Sequence, residues 1–276
     1  MKYSALLVIL FFSVAVAAKK PDADKILKEG KMLYTLQEAS VVATTHFLQQ
    51  FPVLSEKANG YLSYINGNEI NTIIYYHFDS TRILARYHFA ASQPDKIAGI
   101  PETRQLVPSE LEDDLITMRE KAIEKIKVNK DGYYTYYDGV SFTLLPVINN
   151  HERCVYVMSG SKVGDVIILG NDYQLRFDKN NKYRGVERIH KSLVKLSTKA
   201  GMDTTQNATL HKHFISEAID PTDICTLLLY KDQVEWDLHY VLSRKYVSVF
   251  DLKNEKLAII KTKDWKKIGS RIMNKE

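Results

Sequence analysis

Most short motifs that indicate a particular chemistry are missing from this sequence. Its 276 residues include two cysteines, Cys154 and Cys225, which are too few for a disulfide framework and do not form a C-x-x-C pair. There is also no G-x-S-x-G elbow and no glycine-rich phosphate loop, so no motif indicates a serine hydrolase or a nucleotide-binding protein. Each cysteine lies in an apolar segment, and we therefore expect two buried thiols.

The N-terminus has the pattern of a cleavable secretory signal peptide over residues 1–18. One lysine, Lys2, precedes an uncharged apolar run, and small residues at 15–18 offer a site for signal peptidase. Lys19 and Lys20 end the apolar run, which is too short to serve as a membrane anchor. The pattern predicts an exported protein, periplasmic or secreted, and leaves those two locations open.

Excess charge and long apolar runs are also limited in the rest of the chain. The formal net charge is +5 with 26% charged residues, a mild excess that does not require a nucleic-acid or anionic membrane partner. We therefore predict no nucleic-acid partner. No later apolar stretch approaches the ~20 residues needed to cross a bilayer, so we predict no transmembrane segment after signal cleavage.

The hydrophobic pattern predicts an α+β fold in two parts. Residues 19–129 are expected to form a helix-plus-β-meander module, and residues 130–276 a mixed α/β domain. In the first part we predict a helix at 21–51, three antiparallel strands at 61–65, 71–78 and 83–89, a loop at 92–108 and a helix at 109–128. In the second part we predict strands at 133–137, 141–148, 154–158, 166–169, 173–177, 188–196, 209–214, 235–242, 246–250 and 257–260, with helices at 221–230 and 264–273.

Two of the eight histidines form a pair at metal-ligand spacing. His211 and His213 are i and i+2 on a predicted strand, so their imidazoles project to the same side. Asp223 follows ten residues after His213 at the start of a predicted helix. Two histidines and one carboxylate would leave Zn²⁺ one open position for water, as in a catalytic zinc site. The other six are expected to be isolated, packed or surface residues: His46, His77, His88, His151, His190 and His239.

Helix capping explains the acidic residues of this segment equally well. Asp220 suits an N-cap, Pro221 suits the first helical position, and Asp223 at the third position favours the helix dipole. This alternative needs no metal. The order of elements, with H-x-H on a strand followed by a loop and a D-x-x-D helix start, is what favours the metal hypothesis.

With that order of elements, the segment from about 163 to 260 resembles the JAMM (MPN-type) zinc metallopeptidases. The resemblance implies that His211, His213 and Asp223 hold zinc. Asp220 stands where the family has an oxyanion-stabilising serine, and six residues rather than seven separate it from His213. Phe214 stands where the family usually has proline.

The family's general base is a glutamate that precedes the strand corresponding to residues 166–169. No glutamate occupies that place here, and the nearest acid is Asp165. Glu152 and Glu187 are the other candidates for the base. The resemblance thus implies a zinc site whose catalytic carboxylates are Asp165 and Asp220.

Two functions from different classes are consistent with these observations. The first is an exported zinc-dependent hydrolase, a peptidase or isopeptidase that acts on a peptide or protein substrate. The alternative is a non-catalytic binding or scaffold protein of the cell envelope that retains the fold. A third hypothesis is that the family resemblance is false and that His211 and His213 are ordinary strand residues.

Overall fold

The computed structural model describes residues 20–76, 82–104, 106–149, 152–199 and 207–273. The predicted signal peptide lies outside this part of the chain, as do His77 and His151. In the N-terminal half the elements are α1 (Ala23–Gln50), α2 (Pro52–Ser55), β1 (Ala58–Asn66), β2 (Glu69–Tyr76), β3 (Ile83–Ala90), β4 (Gln93–Ile97) and α3 (Glu110–Val128). None of the described helices is long and apolar enough to span a membrane.

The C-terminal half is built mainly from strands. Its elements are β5 (Val140–Asn149), β6 (Glu152–Ser161), β7 (Val166–Gly170), β8 (Tyr173–Phe177), β9 (Tyr183–Arg188), β10 (Leu193–Ser197), β11 (Ala208–Lys212), α4 (Pro221–Leu229), β12 (Leu238–Leu242), β13 (Tyr246–Asp251), β14 (Lys256–Lys261) and α5 (Thr262–Met273). The expected α+β class is confirmed, because helices accompany sheets that are almost entirely antiparallel.

The predicted N-terminal helix is confirmed as one continuous helix, α1. The Asp22 side chain caps it by accepting a hydrogen bond from the backbone nitrogen of Lys25 at 3.1 Å. Gly30 does not interrupt the helix, since it lies where α1 meets α4. A Cβ atom at this position would come within 2.6 Å of the Ile224 Cβ atom, so the glycine permits the close approach of the two helices.

The predicted three-strand meander is confirmed as β1, β2 and β3, and the sheet continues into β4. The loop predicted at 92–108 was wrong in part, because β4 pairs antiparallel with β3 inside it. The predicted second helix is confirmed as α3. Ser109 and Glu112 form a reciprocal capping box at its start.

One strand predicted for the C-terminal half is not formed. The tyrosine-rich segment at 133–137 belongs to no strand, because side chains rather than a neighbouring strand satisfy its backbone. Asn129 bonds both the nitrogen and the carbonyl oxygen of Tyr134, at 2.9 and 2.8 Å. The Tyr134 ring packs 4.9 Å from that of Tyr173. Tyr134 therefore belongs to the core, whereas Tyr136 and Tyr137 are exposed.

Sheet pairing in the C-terminal half determines where the histidines lie. Strands β5, β6, β8 and β9 form one antiparallel sheet, and β7 pairs with β10. Strands β11 to β14 form another sheet, in which β11 runs parallel to β12. The single strand predicted at 188–196 is in fact two strands, β9 and β10. The break between them places His190 in a connecting segment rather than on a strand.

The hydrophobic core does not stop at the predicted boundary near residue 129. One buried cluster joins α1, β2 and β3 with β5, β6 and Cys225 of α4, and a second joins α3 with β1, β5, β6 and β8. Cys154 and Cys225 are both buried and free, as expected. The two predicted parts thus share their apolar interior.

Candidate metal centre

His211 and His213 lie together at the end of β11. Parallel pairing aligns His211 with Val241 of β12. The His213 nitrogen continues the ladder by donating to the Leu242 carbonyl oxygen at 2.9 Å. Both rings consequently point the same way, and their Nε2 atoms are 2.7 Å apart. The expectation that the two imidazoles project together is confirmed, and both are buried.

Asp223 reaches this pair from the first turn of α4. Its Oδ2 atom is 3.2 Å from the His213 Nε2 atom, and its Oδ1 atom is 3.8 Å from the His211 Nε2 atom. Oδ2 also accepts a hydrogen bond from the backbone nitrogen of Asp220 at 3.0 Å. Oδ1 is buried and has no hydrogen-bond partner among the described residues. Capping therefore occupies one carboxylate oxygen and leaves the other directed at the histidines.

His190 is the fourth member of the cluster, and the sequence reasoning missed it. Its Nε2 atom is 3.2 Å from the His213 Nε2 atom and 3.2 Å from the Asp223 Oδ1 atom. Gly170 makes room for the segment that carries it: a Cβ atom there would lie 2.3 Å from the Ser192 carbonyl oxygen. The only signal in the sequence was the run of three polar residues at 190–192 between Ile189 and Leu193 of the predicted strand.

The four side chains lie close enough together to share one small ion. One ligand atom from each of His190, His211, His213 and Asp223 lies within 4.8 Å of the others, and all four residues are buried. Tetrahedral bonds of 2.0–2.1 Å separate ligand atoms by about 3.3 Å. The His190–His213 nitrogen–nitrogen distance and the two shorter nitrogen–oxygen distances, all 3.2 Å, lie close to this value. The His211–His213 distance of 2.7 Å is shorter, and the His211–Asp223 distance of 3.8 Å is longer. This group could hold one metal ion.

Each ring is also held from its far side. His213 Nδ1 is 2.7 Å from the Ala218 carbonyl oxygen, which can only accept, so this nitrogen carries the proton. His190 Nδ1 faces the buried Asp172 Oδ2 atom at 3.2 Å, an ion-pair contact without hydrogen-bond geometry. His211 Nδ1 is 2.8 Å from the Nε2 atom of His239. Carbonyl and carboxylate partners of this kind orient metal-binding imidazoles and leave the opposite nitrogen unprotonated.

Burial and charge shift the pKa values of the cluster in opposite directions. Burial lowers the pKa of His211 to about 4. Burial also acts to lower the pKa values of His190 and His213, but the neighbouring carboxylates together outweigh it and raise both: Asp223 with Asp172 at His190, and Asp223 with Asp220 at His213. Burial acts to raise the pKa of Asp223, yet the three histidines hold it well below its usual range. The carboxylate and the rings of His190 and His213 therefore favour each other's charged forms.

The two carboxylates expected to be catalytic lie in different places. Asp220 adjoins the cluster: its Oδ2 atom is 3.4 Å from both His190 Nε2 and His213 Nδ1. Burial raises the Asp220 pKa to about 6. Asp165 is exposed and precedes β7, whereas the Gly170 end of that strand meets His190. Five strand residues span about 16 Å. Asp165 therefore lies too far from the cluster to contact it.

The other two candidates for a general base contact residues outside the histidine cluster. Glu187 is exposed on β9 and forms an ion pair with Arg176 at 2.6 Å. Glu152 is exposed at the start of β6, where it pairs with Asn149 of β5. Among the four carboxylates considered as catalytic groups, only Asp220 contacts the cluster.

Room beside the histidines is small. The cavity lined by His190, His211 and His213 has a volume of about 10 Å³, which is close to the space that one water molecule needs.

In comparisons with known protein families, curated protein sequences and solved structures, none matches this chain. The resemblance to the JAMM peptidases stays a prediction from the sequence.

Proposed function

We propose that this protein binds one Zn²⁺ ion through His190, His211, His213 and Asp223. The observation that supports this most strongly is the convergence of three buried imidazoles and one buried carboxylate, whose ligand atoms lie within 4.8 Å of one another. Zn²⁺ favours nitrogen ligands in four-coordinate sites. Ca²⁺ and Mg²⁺ take six or more oxygen ligands, which a cluster with a single carboxylate does not supply.

The role that we propose for this metal is structural. Four protein ligands close a tetrahedral shell, whereas catalytic zinc sites keep one position for water. The ligands come from the β9–β10 connection, the end of β11 and the start of α4, so the ion would tie three segments together. Together with the signal-peptide pattern at residues 1–18, this favours an exported binding or scaffold protein of the cell envelope.

Asp220 supports a second candidate, the zinc-dependent hydrolase. A carboxyl group with a pKa near 6 beside the cluster has the acid–base behaviour that water activation requires. The cavity of about 10 Å³ could admit that water. In this case the metal would expand its shell or release His190, and the substrate would be a peptide or an isopeptide-linked protein.

Metal content is the first test of both candidates. The chain lacking residues 1–18 is purified without chelator, and bound metals are measured by elemental analysis. We expect about one zinc per chain, and loss of this zinc in the His211→Ala/His213→Ala double variant. His88→Ala serves as the matched control, because His88 lies on β3 and takes no part in the cluster. Failure to bind zinc even after reconstitution would refute the proposal.

A second measurement separates the structural role from the hydrolase. The zinc-loaded chain is incubated with peptide and isopeptide substrates, alongside Asp220→Asn and His190→Ala. Turnover that depends on zinc and disappears in Asp220→Asn would establish the hydrolase. Full zinc occupancy without turnover would favour the scaffold protein.

A further inference from the structure

A chain of polar contacts continues from the cluster to the half-buried Thr209. His211 Nδ1 is 2.8 Å from His239 Nε2, and His239 Nδ1 is 2.8 Å from the Thr209 hydroxyl oxygen. His239 is fully buried on β12, and its ring stacks on that of His211 at a centroid distance of 5.0 Å. Thr209 and His211 point to the same side of β11, and Thr209 is the parallel-register partner of His239.

This chain has two possible directions, and only one is compatible with metal binding. If His211 Nε2 binds a metal, the proton of its neutral ring is on Nδ1 and is donated to His239 Nε2. The His239 proton must then be on its own Nδ1, where it is donated to the Thr209 oxygen. In the reverse direction, Thr209 donates, and the His211 proton moves to Nε2, which faces His213 at 2.7 Å. That arrangement blocks coordination.

We infer that Thr209 is a positioning residue for the metal centre, acting through His239 to stabilise the tautomer in which His211 binds zinc. The inference rests on the zinc binding proposed above. When the Thr209 oxygen accepts the Nδ1 proton of His239, every proton of the productive direction has a partner, whereas a side chain without a hydroxyl would leave that proton unpaired in a fully buried ring. The Thr209 hydroxyl contacts His239 and none of the four proposed ligands. Thr209 therefore affects the orientation of His211 rather than its coordination.

Threonine variants test this without disturbing the interior. Thr209→Val keeps the shape and strand propensity of the side chain but removes the acceptor, and Thr209→Ser retains a hydroxyl. Zinc affinity is measured by competition with a chromophoric chelator. We expect Thr209→Val to bind zinc roughly 10-fold more weakly, as for the loss of outer partners of other ligating histidines, and Thr209→Ser to restore binding. Equal affinities for wild type and Thr209→Val would overturn the inference.

A spectroscopic measurement reports the tautomers directly. In zinc-loaded, ¹⁵N-labelled wild type, long-range ¹H–¹⁵N spectra should place the protons of His211 and His239 on Nδ1. In Thr209→Val, His239 should shift towards the Nε2-protonated form, which a purely structural role of Thr209 would not cause. If His239 of the zinc-loaded wild type is protonated on Nε2, the inference about Thr209 is overturned but the proposed zinc binding is not. Absence of zinc uptake by wild type is detected beforehand and would overturn the proposed function with it.

Discussion

Replacing Asp223 with asparagine tests the electrostatic balance of the buried cluster. Asp223 is fully buried, and its carboxylate oxygens lie 3.2 Å from the Nε2 atoms of His190 and His213. In the metal-free chain this carboxylate raises the pKa values of both histidines and so favours their charged forms. Asp223→Asn conserves the size of the side chain, removes the charge and replaces one acceptor oxygen with an NH₂ donor.

The magnitude follows from the distances. Two unit charges at 3.2 Å interact by about 5 kcal/mol at an effective dielectric constant of ~20. The histidines of the variant release their protons instead of staying charged, so the net loss should fall in the ~3–5 kcal/mol range of a broken buried pair. For a chain of this size, such a loss lowers Tm by roughly 10 °C.

Thermal unfolding at pH 7 measures this effect with chelator and then with zinc. With chelator, Asp223→Asn should melt about 10 °C below wild type. With zinc at ~1,000 times its Kd, the free energy of unfolding of wild type should rise by about 4 kcal/mol, and that of the variant by much less. Asp232→Asn is the matched control, because Asp232 is exposed just after α4. Equal melting of Asp223→Asn and wild type under both conditions would refute the electrostatic reasoning.

Three other predictions follow from the same structure. Burial opposes ionisation of Glu112, but hydrogen bonds from Arg86 and the capping box lower its pKa overall. Glu112→Gln should therefore lower the free energy of unfolding, measured in urea at pH 7, by ~3–5 kcal/mol relative to wild type. This difference should narrow as acid protonates wild-type Glu112 below about pH 4. Gly30→Ala should lower the free energy of unfolding by ~1–3 kcal/mol, because its methyl group overpacks against α4. Gly164→Ala, whose methyl group would lie in open space, should leave that free energy unchanged. Because the raised His190 pKa keeps that ring protonated near neutral pH, zinc binding should release protons and tighten with rising pH, and calorimetry in two buffers of different ionisation enthalpy will detect this.

Local sequence chemistry was sufficient to predict several elements and part of the cluster. The capping box at Ser109 and Glu112 lies within one helical turn, so adjacent residues specify the start of α3. The H-x-H pair likewise needs only strand periodicity to bring two rings to one side. Asp223 was predictable because a cap at the start of α4 fixes its direction.

His190 and His239 could not be predicted in the same way, because their positions depend on pairing between distant strands. His190 is 23 residues from His213 in sequence, and it reaches the cluster only because β7 pairs with β10 beside it. His239 is 28 residues from His211 and meets it through the β11–β12 register. The tyrosine segment at 133–137 shows the converse: β propensity predicted a strand, but Asn129 already satisfied the backbone that a strand would use.

The proposed ligands are held in place by contacts that do not involve a metal. The Ala218 carbonyl oxygen fixes His213, and the backbone nitrogen of Asp220 fixes Asp223. Helix α4, which carries Asp223, is anchored by an apolar cluster that includes β7, β12 and β13. We therefore expect the metal-free chain to keep its fold, unlike a classical zinc finger, and a metal to add stability to it. On this expectation, metal-free Asp223→Asn and wild type can be compared as two folded proteins.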